Sequence, residues 1–189
     1  MCGAMDEETF SKMVSGEWYN PASLEPERLR AQTICADFNA LRPTDDKRRW
    51  KLMNDLFGTV GEGAWVMQPF HCDYGRNIQL GPKCFLNYGC VMLDCAPILF
   101  GEHVLAGPGC HFYTAIHPTD PDARATDMER AEPIIIGNNV WLGGHVTVLP
   151  GVRIGDNTIV GAGSVVTKSL PANVIAVGNP ARVIKKLDK

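Results

Sequence analysis

Ile136-Gly-Asn-Asn-Val-Trp141 begins a run of six-residue repeats that continues as Leu142-Gly-Gly-His-Val-Thr147, Val148-Leu-Pro-Gly-Val-Arg153, Ile154-Gly-Asp-Asn-Thr-Ile159 and Val160-Gly-Ala-Gly-Ser-Val165. An aliphatic residue opens each repeat, and a small or β-branched residue comes four positions later. Neither the helical period of 3.6 nor simple strand alternation produces this pattern. Short strands joined by tight turns do, when three units close a triangular coil of about eighteen residues with the openers pointing inward. The stretch predicts a parallel β-solenoid.

The same period appears earlier in the chain with less regularity. Openers spaced by six residues also occur at Tyr74, Leu80, Leu86 and Met92. The period disappears over residues 117–133, a polar and proline-rich segment that cannot continue a stacked coil. Long loops within compact folds are usually functional or disordered. We therefore predict a helical leader over residues 1–60 and a β-helix over residues 61–189, with residues 117–133 extruded as a loop.

The leader carries helix signals in place of the six-residue period. Asp6 can cap a first helix that Gly16 ends, and Pro26 can open a second. Trp50 and Met53 are spaced as on one face of a third helix. Such short helices are not stable alone in water, and the first coil of a solenoid leaves an open edge. We expect the leader to cover that edge.

Composition and charge narrow the classes of partner. The chain has 189 residues, 45% of them hydrophobic, and a net charge of −3, which gives no reason to expect nucleic-acid binding. No apolar run approaches the roughly 20 residues that span a bilayer. The acidic start lacks the basic and apolar regions of a signal peptide. We expect a cytoplasmic protein with no nucleic-acid and no membrane partner.

The cysteines do not form a recognisable metal or disulfide framework. There are seven, an odd number, and no Cys-x-x-Cys pair is present. Cys84, Cys90 and Cys110 occupy the small inward position of their repeats, where a thiol serves as a compact apolar filler. We expect these three to be reduced core residues, and no metal to be required.

One of the five histidines, His117, stands where the coil gives way to the loop. Catalytic groups often lie on loops that a rigid scaffold holds in place. An imidazole can accept a proton from a hydroxyl group near neutral pH. From its position alone, His117 is open to a structural as well as a catalytic interpretation.

Several longer motifs stand beside the simple repeat. They are Lys12-Met-Val-Ser-Gly-Glu-Trp-Tyr-Asn20, Cys72-Asp-Tyr-Gly75, Asn87-Tyr-Gly-Cys-Val-Met-Leu-Asp94, Tyr113-Thr-Ala-Ile-His-Pro118, Ile136-Gly-Asn-Asn-Val-Trp-Leu-Gly143 and Val177-Gly-Asn-Pro-Ala-Arg-Val-Ile184. Together they resemble the maltose/galactoside O-acetyltransferase family of hexapeptide-repeat enzymes over nearly the whole chain, and the departures from its pattern given below favour the maltose type. The resemblance makes His117 the expected catalytic base.

The resemblance also implies a fold and a reaction. The fold is an all-β, left-handed parallel β-helix with a short α-helical leader, assembled as a homotrimer whose active sites lie between neighbouring solenoids. The reaction is direct transfer of acetyl from acetyl-CoA to a sugar hydroxyl that His117 deprotonates. The backbone N–H of Gly144 would stabilise the oxyanion, and Asn87 is the third expected catalytic residue.

Two sets of binding residues follow from the same matched motifs. The expected acceptor-binding residues are Asn20, Asp73, Asn87 and Asp94. The expected acetyl-CoA-binding residues are Trp141, Gly144, Ala162, Thr167, Lys168, Arg182 and Lys185. Asn87 and Asp94 are also open to the interpretation that they satisfy backbone groups at the coil turns.

This chain departs from the family pattern at three positions that bear on the acceptor. Asn20 stands where aspartate is usual, Phe85 replaces a tyrosine, and Cys95 stands where some galactoside-type members carry a second acid. The identity of the acceptor sugar therefore stays open at this point.

Three alternatives remain beside the sugar acetyltransferase. A zinc lyase of the gamma carbonic anhydrase kind is also built from six-residue repeats, but it needs three imidazoles that converge on one metal. A non-catalytic trimeric scaffold and an acetyltransferase with a serine, xenobiotic or nodulation-oligosaccharide acceptor are the others. The helical leader favours a sugar.

Overall fold

The computed structural model describes residues 5–188, and its main body is a left-handed parallel β-helix with a triangular cross-section. Each coil adds one short strand to each of three sheets, so the predicted solenoid is confirmed. Met1–Ala4 of the acidic start, and Lys189, lie outside the described residues. Within the described part, no helix is both long enough and apolar enough to cross a membrane.

The three sheets run parallel to the axis of the β-helix, and the chain visits them in the order 1, 2, 3. Sheet 1 contains β1 (Thr59–Val60), β4 (Ile78–Leu80), β7 (Ile98–Phe100), β12 (Ile134–Ile136) and β15 (Arg153–Ile154). Sheet 2 contains β2 (Trp65–Val66), β5 (Phe85–Leu86), β8 (Leu105–Ala106), β13 (Trp141–Leu142), β16 (Ile159–Val160), β18 (Val174–Val177) and β19 (Arg182–Lys186). Sheet 3 contains β3 (Phe70–Cys72), β6 (Cys90–Leu93), β9 (His111–Tyr113), β14 (Thr147–Val148) and β17 (Val165–Val166).

The core is a column that contains the repeat openers and the residues four positions after each opener in sequence. Among the openers, Ile136, Leu142 and Val148 are all buried, as are the openers of the earlier coils. Thr158 and Ser164 each lie four residues after an opener and are fully buried, but each hydroxyl donates a hydrogen bond to a backbone carbonyl. The predicted burial of Cys84, Cys90 and Cys110 is confirmed, and all three are free thiols. Burial raises the pKa of each of these thiols, so they stay protonated apolar fillers.

The leader folds into three α-helices and one 3₁₀ turn: α1 (Glu7–Ser15), the turn (Pro21–Leu24), α2 (Glu25–Asn39) and α3 (Asp46–Leu56). Asp6 caps α1 by accepting a hydrogen bond from the backbone of Thr9, and Gly16 ends the helix with a left-handed φ of 83°. Pro26 lies in the first turn of α2, as predicted. In α3, Met53 is fully buried, but Trp50 is 40% exposed. The spacing of Trp50 and Met53 predicted one shared face, but the buried stripe that packs on the coil is Arg49, Leu52, Met53 and Leu56.

The second and third helices lie against the open end of the β-helix. The side chain of Asn39 donates to the carbonyl of Phe70 at 2.9 Å and accepts from its N–H at 2.8 Å, which satisfies part of the free edge of β3. Arg49 is buried and donates to the carbonyl of Val66 at 3.1 Å. Exposed strand edges pair readily with other chains, so these contacts protect the first coil.

The β-helix has three edges, at which the chain turns from one sheet to the next. Backbone hydrogen bonds between successive turns define these edges, and each edge is named after the two sheets that it joins. Edge 1–2 carries a ladder of asparagine side chains, in which Asn139 donates to Asn157 at 3.3 Å and Asn157 donates to Asn173 at 2.9 Å. All three have φ between 53° and 58°, a left-handed conformation that asparagine adopts more readily than most residues. Edge 2–3 is marked by Gly109 N donating to Tyr88 O, His145 N to Pro108 O and Gly163 N to Gly144 O. Edge 3–1 is marked by Asp73 N donating to Met92 O, Thr114 N to Leu93 O and Glu132 N to Thr114 O.

The extruded segment leaves the coil at edge 3–1 and has structure of its own. Strand β10 (Ala115–Ile116) pairs antiparallel with β11 (Arg130–Ala131), and a short helix α4 (Pro121–Arg124) lies near the tip. We call residues 115–131 the arm. The coil resumes without loss of register, because β12 pairs directly with β7.

The C-terminal segment does not continue the parallel coil. Strand β19 runs antiparallel to β18, whereas every other pair within the three sheets is parallel in the described chain. All five residues of β19 are exposed. The turn through Gly178 therefore reverses the chain, and Arg182 and Lys185 lie on an outer strand of sheet 2.

Candidate active site

A polar pocket of about 550 Å³ opens beside the arm, where the arm meets the leader. Pockets of this size accommodate small molecules. The 3₁₀ turn contributes Asn20, Pro21 and Ala22, the start of α2 contributes Glu25 and Arg28, and the arm contributes His117, Arg124, Asp127 and Glu129. The pocket thus combines hydrogen-bond donors and acceptors of both charges around one histidine.

His117 follows β10 directly and lies at the mouth of the pocket. Its side chain is 58% exposed, so a ligand in the pocket can reach the imidazole. Its Nε2 atom lies 4.0 Å from Oε2 of Glu129. The structure places His117 at the boundary between coil and loop, as predicted.

Glu129 connects the arm to the leader. Its backbone and that of Tyr19 exchange two hydrogen bonds of 2.9 Å, which form an isolated antiparallel bridge. The Tyr19 hydroxyl also donates to Oε1 of Glu129 inside the protein. Burial, together with the neighbouring acidic groups, raises the pKa of Tyr19, so this hydroxyl stays protonated and remains a donor.

Arg28 forms the opposite wall of the pocket. Its guanidinium donates to the hydroxyl of Tyr74 at 3.2 Å and lies 3.7 Å from a carboxylate oxygen of Asp73. Burial raises the pKa of Asp73, and the positive charge of Arg28 acts in the opposite direction. Asp73 therefore lies behind Arg28, close to the pocket but outside its lining.

Asp94 does not take the place expected of an acceptor ligand. It is fully buried, and its Oδ1 accepts hydrogen bonds from the backbone N–H groups of Asp73 and Tyr74 at 3.1 and 2.9 Å. Its Oδ2 has no partner among the described residues. No part of the side chain reaches the pocket. The Asp94 carboxyl instead organises the turn at edge 3–1.

Asp94 leads to a prediction about pH and stability. Burial raises its pKa to about 8 from an ordinary 3.8. The folded chain therefore keeps a proton that the unfolded chain releases, so this contribution to stability is complete below about pH 4 and is lost as the pH rises to about 8. The slope from this one group is at most about 1.4 kcal/mol per pH unit.

The variant Asp94→Asn lacks the titrating proton and should lack this slope. We expect the free energy of unfolding of the wild type, minus that of the variant, to decrease between pH 5 and pH 8. Denaturant titrations at pH 5, 6.5 and 8 measure this difference. Parallel pH curves for the two proteins would show that Asp94 is ionised in the folded state.

Asn87 and Gly144 lie on edge 2–3, away from His117 within the same chain. Oδ1 of Asn87 accepts a hydrogen bond from the N–H of Tyr88 at 2.8 Å, and the side chain is half-buried. The carbonyl of Gly144 accepts from Gly163 at 2.9 Å, whereas its N–H has no hydrogen-bond partner among residues 5–188. A free backbone N–H at an accessible turn is the kind of group that stabilises an oxyanion.

The expected acetyl-CoA-binding residues also divide between two places. Trp141 is 53% exposed on sheet 2, and Gly144 and Ala162 occupy adjacent turns of edge 2–3. Arg182 and Lys185 extend this surface on β19. Thr167 and Lys168 instead follow β17 at edge 3–1, exposed and on the same edge as the arm.

Comparison with known proteins identifies the relationship. Residues 12–61 match the maltose acetyltransferase hexapeptide capping motif, and residues 133–168 match the bacterial transferase hexapeptide of six repeats. The galactoside O-acetyltransferase of Escherichia coli (strain K12) is 41% identical over 165 residues, which cover 87% of this chain and 81% of that protein. The chain belongs to the maltose/galactoside O-acetyltransferase family. It is thus an acetyltransferase, and the predicted family is confirmed.

Solved structures of family members have the same fold. The maltose O-acetyltransferase from Clostridium difficile 630 superposes with a TM-score of 0.94 at 43% identity, covering 96% of this chain and 98% of that chain. The hexapeptide-repeat-containing acetyltransferase of Vibrio cholerae O1 biovar eltor, complexed with acetyl coenzyme A, has a TM-score of 0.89 at 39% identity, covering 96% and 99%. The left-handed β-helix is therefore common to these proteins and to this chain.

Two of the three positions at which the chain departs from the family pattern lie in or near the pocket. Asn20 lines the pocket, but its Oδ1 already accepts a hydrogen bond from Ala22 at 2.9 Å as the cap of the 3₁₀ turn. The thiol of Cys95 is buried and lies 3.8 Å from both Asp73 and Glu129. Phe85 is half-buried on sheet 2. Asn20 and Cys95 are therefore the two departures at the pocket, and Phe85 lies away from it.

The pocket contains residues that the sequence analysis did not select. Arg28 and Glu129 line it, and Tyr19 holds Glu129. Tyr19 falls inside the leader motif that ends at Asn20, but no spacing connects Tyr19 or Arg28 with residue 129. The acid-rich return of the extruded segment was the one available signal for Glu129.

The described residues do not support a metal centre of the lyase kind. No group of three or more His, Cys, Asp or Glu side chains within residues 5–188 is arranged so that it could hold a metal ion. His103 lies on edge 1–2, His145 on edge 2–3 and His117 on the arm. Three imidazoles of one chain therefore do not converge.

Proposed function

We propose that this protein transfers acetyl from acetyl-CoA to a hydroxyl group of a sugar, of the maltose, glucose or galactoside type. The observation that carries the proposal is the position of His117 at the mouth of a polar pocket whose walls include Arg28, Glu25 and Asn20. Amide groups and charged groups of both signs offer hydrogen-bond donors and acceptors, which suits a ligand with many hydroxyls. The names of the E. coli and C. difficile relatives support the same acceptor class.

In the proposed reaction, His117 is the general base. Its imidazole accepts the proton of the acceptor hydroxyl while the oxygen attacks the thioester carbonyl, so no acyl-enzyme forms. The carbonyl oxygen becomes an oxyanion that accepts a hydrogen bond from the free N–H of Gly144. When the tetrahedral intermediate collapses, the C–S bond breaks and the imidazolium returns its proton to the thiolate of coenzyme A. The products are the acetyl ester of the sugar and free coenzyme A.

The geometry supports an active site shared between chains. Gly144 and the base of the arm are separated by the width of sheet 3, roughly 16 Å for the extended stretch from Gly144 to Leu149. A reacting group must lie about 3 Å from both the base and the oxyanion donor. One chain does not meet this condition. We therefore propose a homotrimer in which edge 3–1 of one chain faces edge 2–3 of the next, since head-to-tail contacts close into rings.

The same arrangement would place acetyl-CoA in the groove between chains. Thr167 and Lys168 lie on the edge of the arm, about two coils or roughly 10 Å further along the axis, and they would meet the molecule from one side. Trp141, Gly144 and Ala162 would meet it from the other. The exposed guanidinium of Arg182 and the ammonium of Lys185 are suited to phosphate groups.

Replacing Arg182 by alanine should raise the Michaelis constant for acetyl-CoA by roughly tenfold, the equivalent of one charge-assisted hydrogen bond. The constant for the acceptor and the order of preference among acceptors should not change. Steady-state kinetics with either substrate varied measures both. Lys186→Ala is the matched control on the same exposed strand. Equal acetyl-CoA constants for wild type and Arg182→Ala would remove Arg182 from the site.

The acceptor class is tested by incubating the protein with acetyl-CoA and a panel of acceptors while thiol release is followed. Maltose, glucose and a galactoside form the sugar set, with serine and chloramphenicol alongside. Release that is fastest with one of the sugars supports the proposal and names the acceptor. Release confined to serine or chloramphenicol would overturn the sugar assignment while leaving the acetyltransferase family intact.

A further inference from the structure

Glu129 is a buried acid beside His117 that the proposed reaction does not use. We propose that Glu129 is a positioning residue for His117, and that Tyr19 of the leader holds it in place for that role. The inference rests on the proposed function, because it assigns a partner to the base of that reaction. It makes the leader a part of the catalytic arrangement as well as a cover for the first coil.

The two oxygens of Glu129 have different surroundings. Oε1 accepts the hydrogen bond of the Tyr19 hydroxyl, and the thiol of Cys95 lies 3.8 Å away from the same oxygen. Oε2 faces Nε2 of His117 at 4.0 Å. The backbone bridge between residues 19 and 129 fixes the chain from which the side chain projects. One oxygen is thus anchored in the protein and the other is directed at the imidazole.

No other acid has this relation to His117. Glu25 and Asp127 also line the pocket, but both are exposed, whereas the Glu129 side chain is 8% exposed. Asp73 is engaged with Arg28 at 3.7 Å. A carboxylate shielded from water interacts more strongly with a nearby positive charge than an exposed one does. Glu129 is therefore the acid best placed to act on the imidazole.

The chemistry follows from which nitrogen of His117 carries the proton. The partner of one ring nitrogen determines the tautomer. A carboxylate near Nε2 favours a proton on Nε2, which leaves Nδ1 free to accept the proton of the acceptor hydroxyl. The same carboxylate stabilises the imidazolium that forms during the reaction, without itself becoming protonated. The 4.0 Å separation is longer than a hydrogen bond, as catalytic contacts often are when no substrate is present.

The first test is the variant Glu129→Gln, which keeps the size of the side chain and its acceptor oxygen for Tyr19. We expect kcat to fall by roughly 10²-fold, as for a misplaced catalytic group. The Michaelis constants for the acceptor and for acetyl-CoA should stay close to those of the wild type. Asp122→Asn, on the exposed surface of the same arm, removes an equal charge and should leave kcat unchanged. Unchanged kcat in Glu129→Gln, or a rise confined to the acceptor constant, would overturn the positioning role.

The second test asks whether Tyr19 acts through Glu129. Tyr19→Phe removes only the hydroxyl and should lower kcat several-fold in the wild-type background. It should lower kcat no further in the Glu129→Gln background, because residues that act through one another are not additive. Equal losses in both backgrounds would show that Tyr19 acts independently of Glu129 and would overturn its part in the proposal.

A spectroscopic test separates this inference from the proposed function. The ¹⁵N resonances of His117 report which ring nitrogen carries the proton, with or without turnover. We expect a single Nε2-protonated tautomer in the wild type and a mixture in Glu129→Gln. A wild-type protein that is inactive on every acceptor would overturn the proposed function. An unchanged tautomer in Glu129→Gln would overturn the positioning role, whatever the activity.

Discussion

Replacing His117 by alanine is expected to lower kcat for acetyl transfer by about 10²- to 10⁴-fold, the range for loss of a general base. The methyl group cannot accept the proton of the acceptor hydroxyl, so the attacking oxygen stays neutral and weakly nucleophilic. Binding of acetyl-CoA should be unaffected, because the imidazole acts on the acceptor. Thiol release measures kcat, and calorimetric titration with coenzyme A measures binding.

A matched control separates loss of the base from a general effect of removing a histidine. His103 is half-exposed on edge 1–2, far from the pocket, and its φ of 56° is tolerated by asparagine. His103→Asn should therefore keep wild-type turnover. A His117→Ala protein that turns over at nearly the wild-type rate would show that another group, or water, accepts the proton.

Two inactive variants are expected to recover activity when they assemble together. His117→Ala disables edge 3–1, and Asn87→Ala disables edge 2–3 by removing a side chain that we expect to position the acceptor, at a cost of roughly 10²-fold. In a ring of three chains that contains both variants, about one third of the sites combine an intact His117 from one chain with an intact Asn87 from its neighbour. Those sites should work at the wild-type rate.

The experiment needs chains that exchange or assemble together. Coexpression with two different affinity tags, followed by tandem purification, isolates the mixed trimers, and each variant alone provides the background rate. Activity in the mixture well above both backgrounds supports a shared site. A mixture no faster than the two backgrounds would place His117 and Asn87 of the same chain in each site, or would exclude the trimer.

The sequence predicted the parts of the molecule that repeat. Because each coil stacks its opener on the one below, burial of Ile136, Leu142 and Val148 follows from the six-residue period alone. The left-handed twist does not follow from spacing, since parallel crossovers are normally right-handed. It required the family resemblance. The helical starts at Asp6 and Pro26 were predictable because capping and the geometry of proline are local effects.

The parts that do not repeat were predicted less well. The contact between Tyr19 and Glu129 joins residues 110 positions apart, and no periodicity reaches across that distance. Asp94 was expected to bind the acceptor because it falls within a matched family motif, and the alternative that it satisfies backbone groups at the turn was left open. Its burial depends on how the turn at edge 3–1 packs against the leader, which the local sequence does not specify.

The continuous register across the arm has an evolutionary consequence. Strands β7 and β12 pair as directly as any two neighbouring coils, although the arm lies between them in sequence. Insertions and deletions within the arm therefore do not disturb the stacking on either side. If the pocket beside the arm binds the acceptor as proposed, acceptor choice can change through the length and composition of this one segment without any change in the stacked repeat. The contact with Tyr19 limits this freedom, because a changed arm must still pair with residue 19 of the leader.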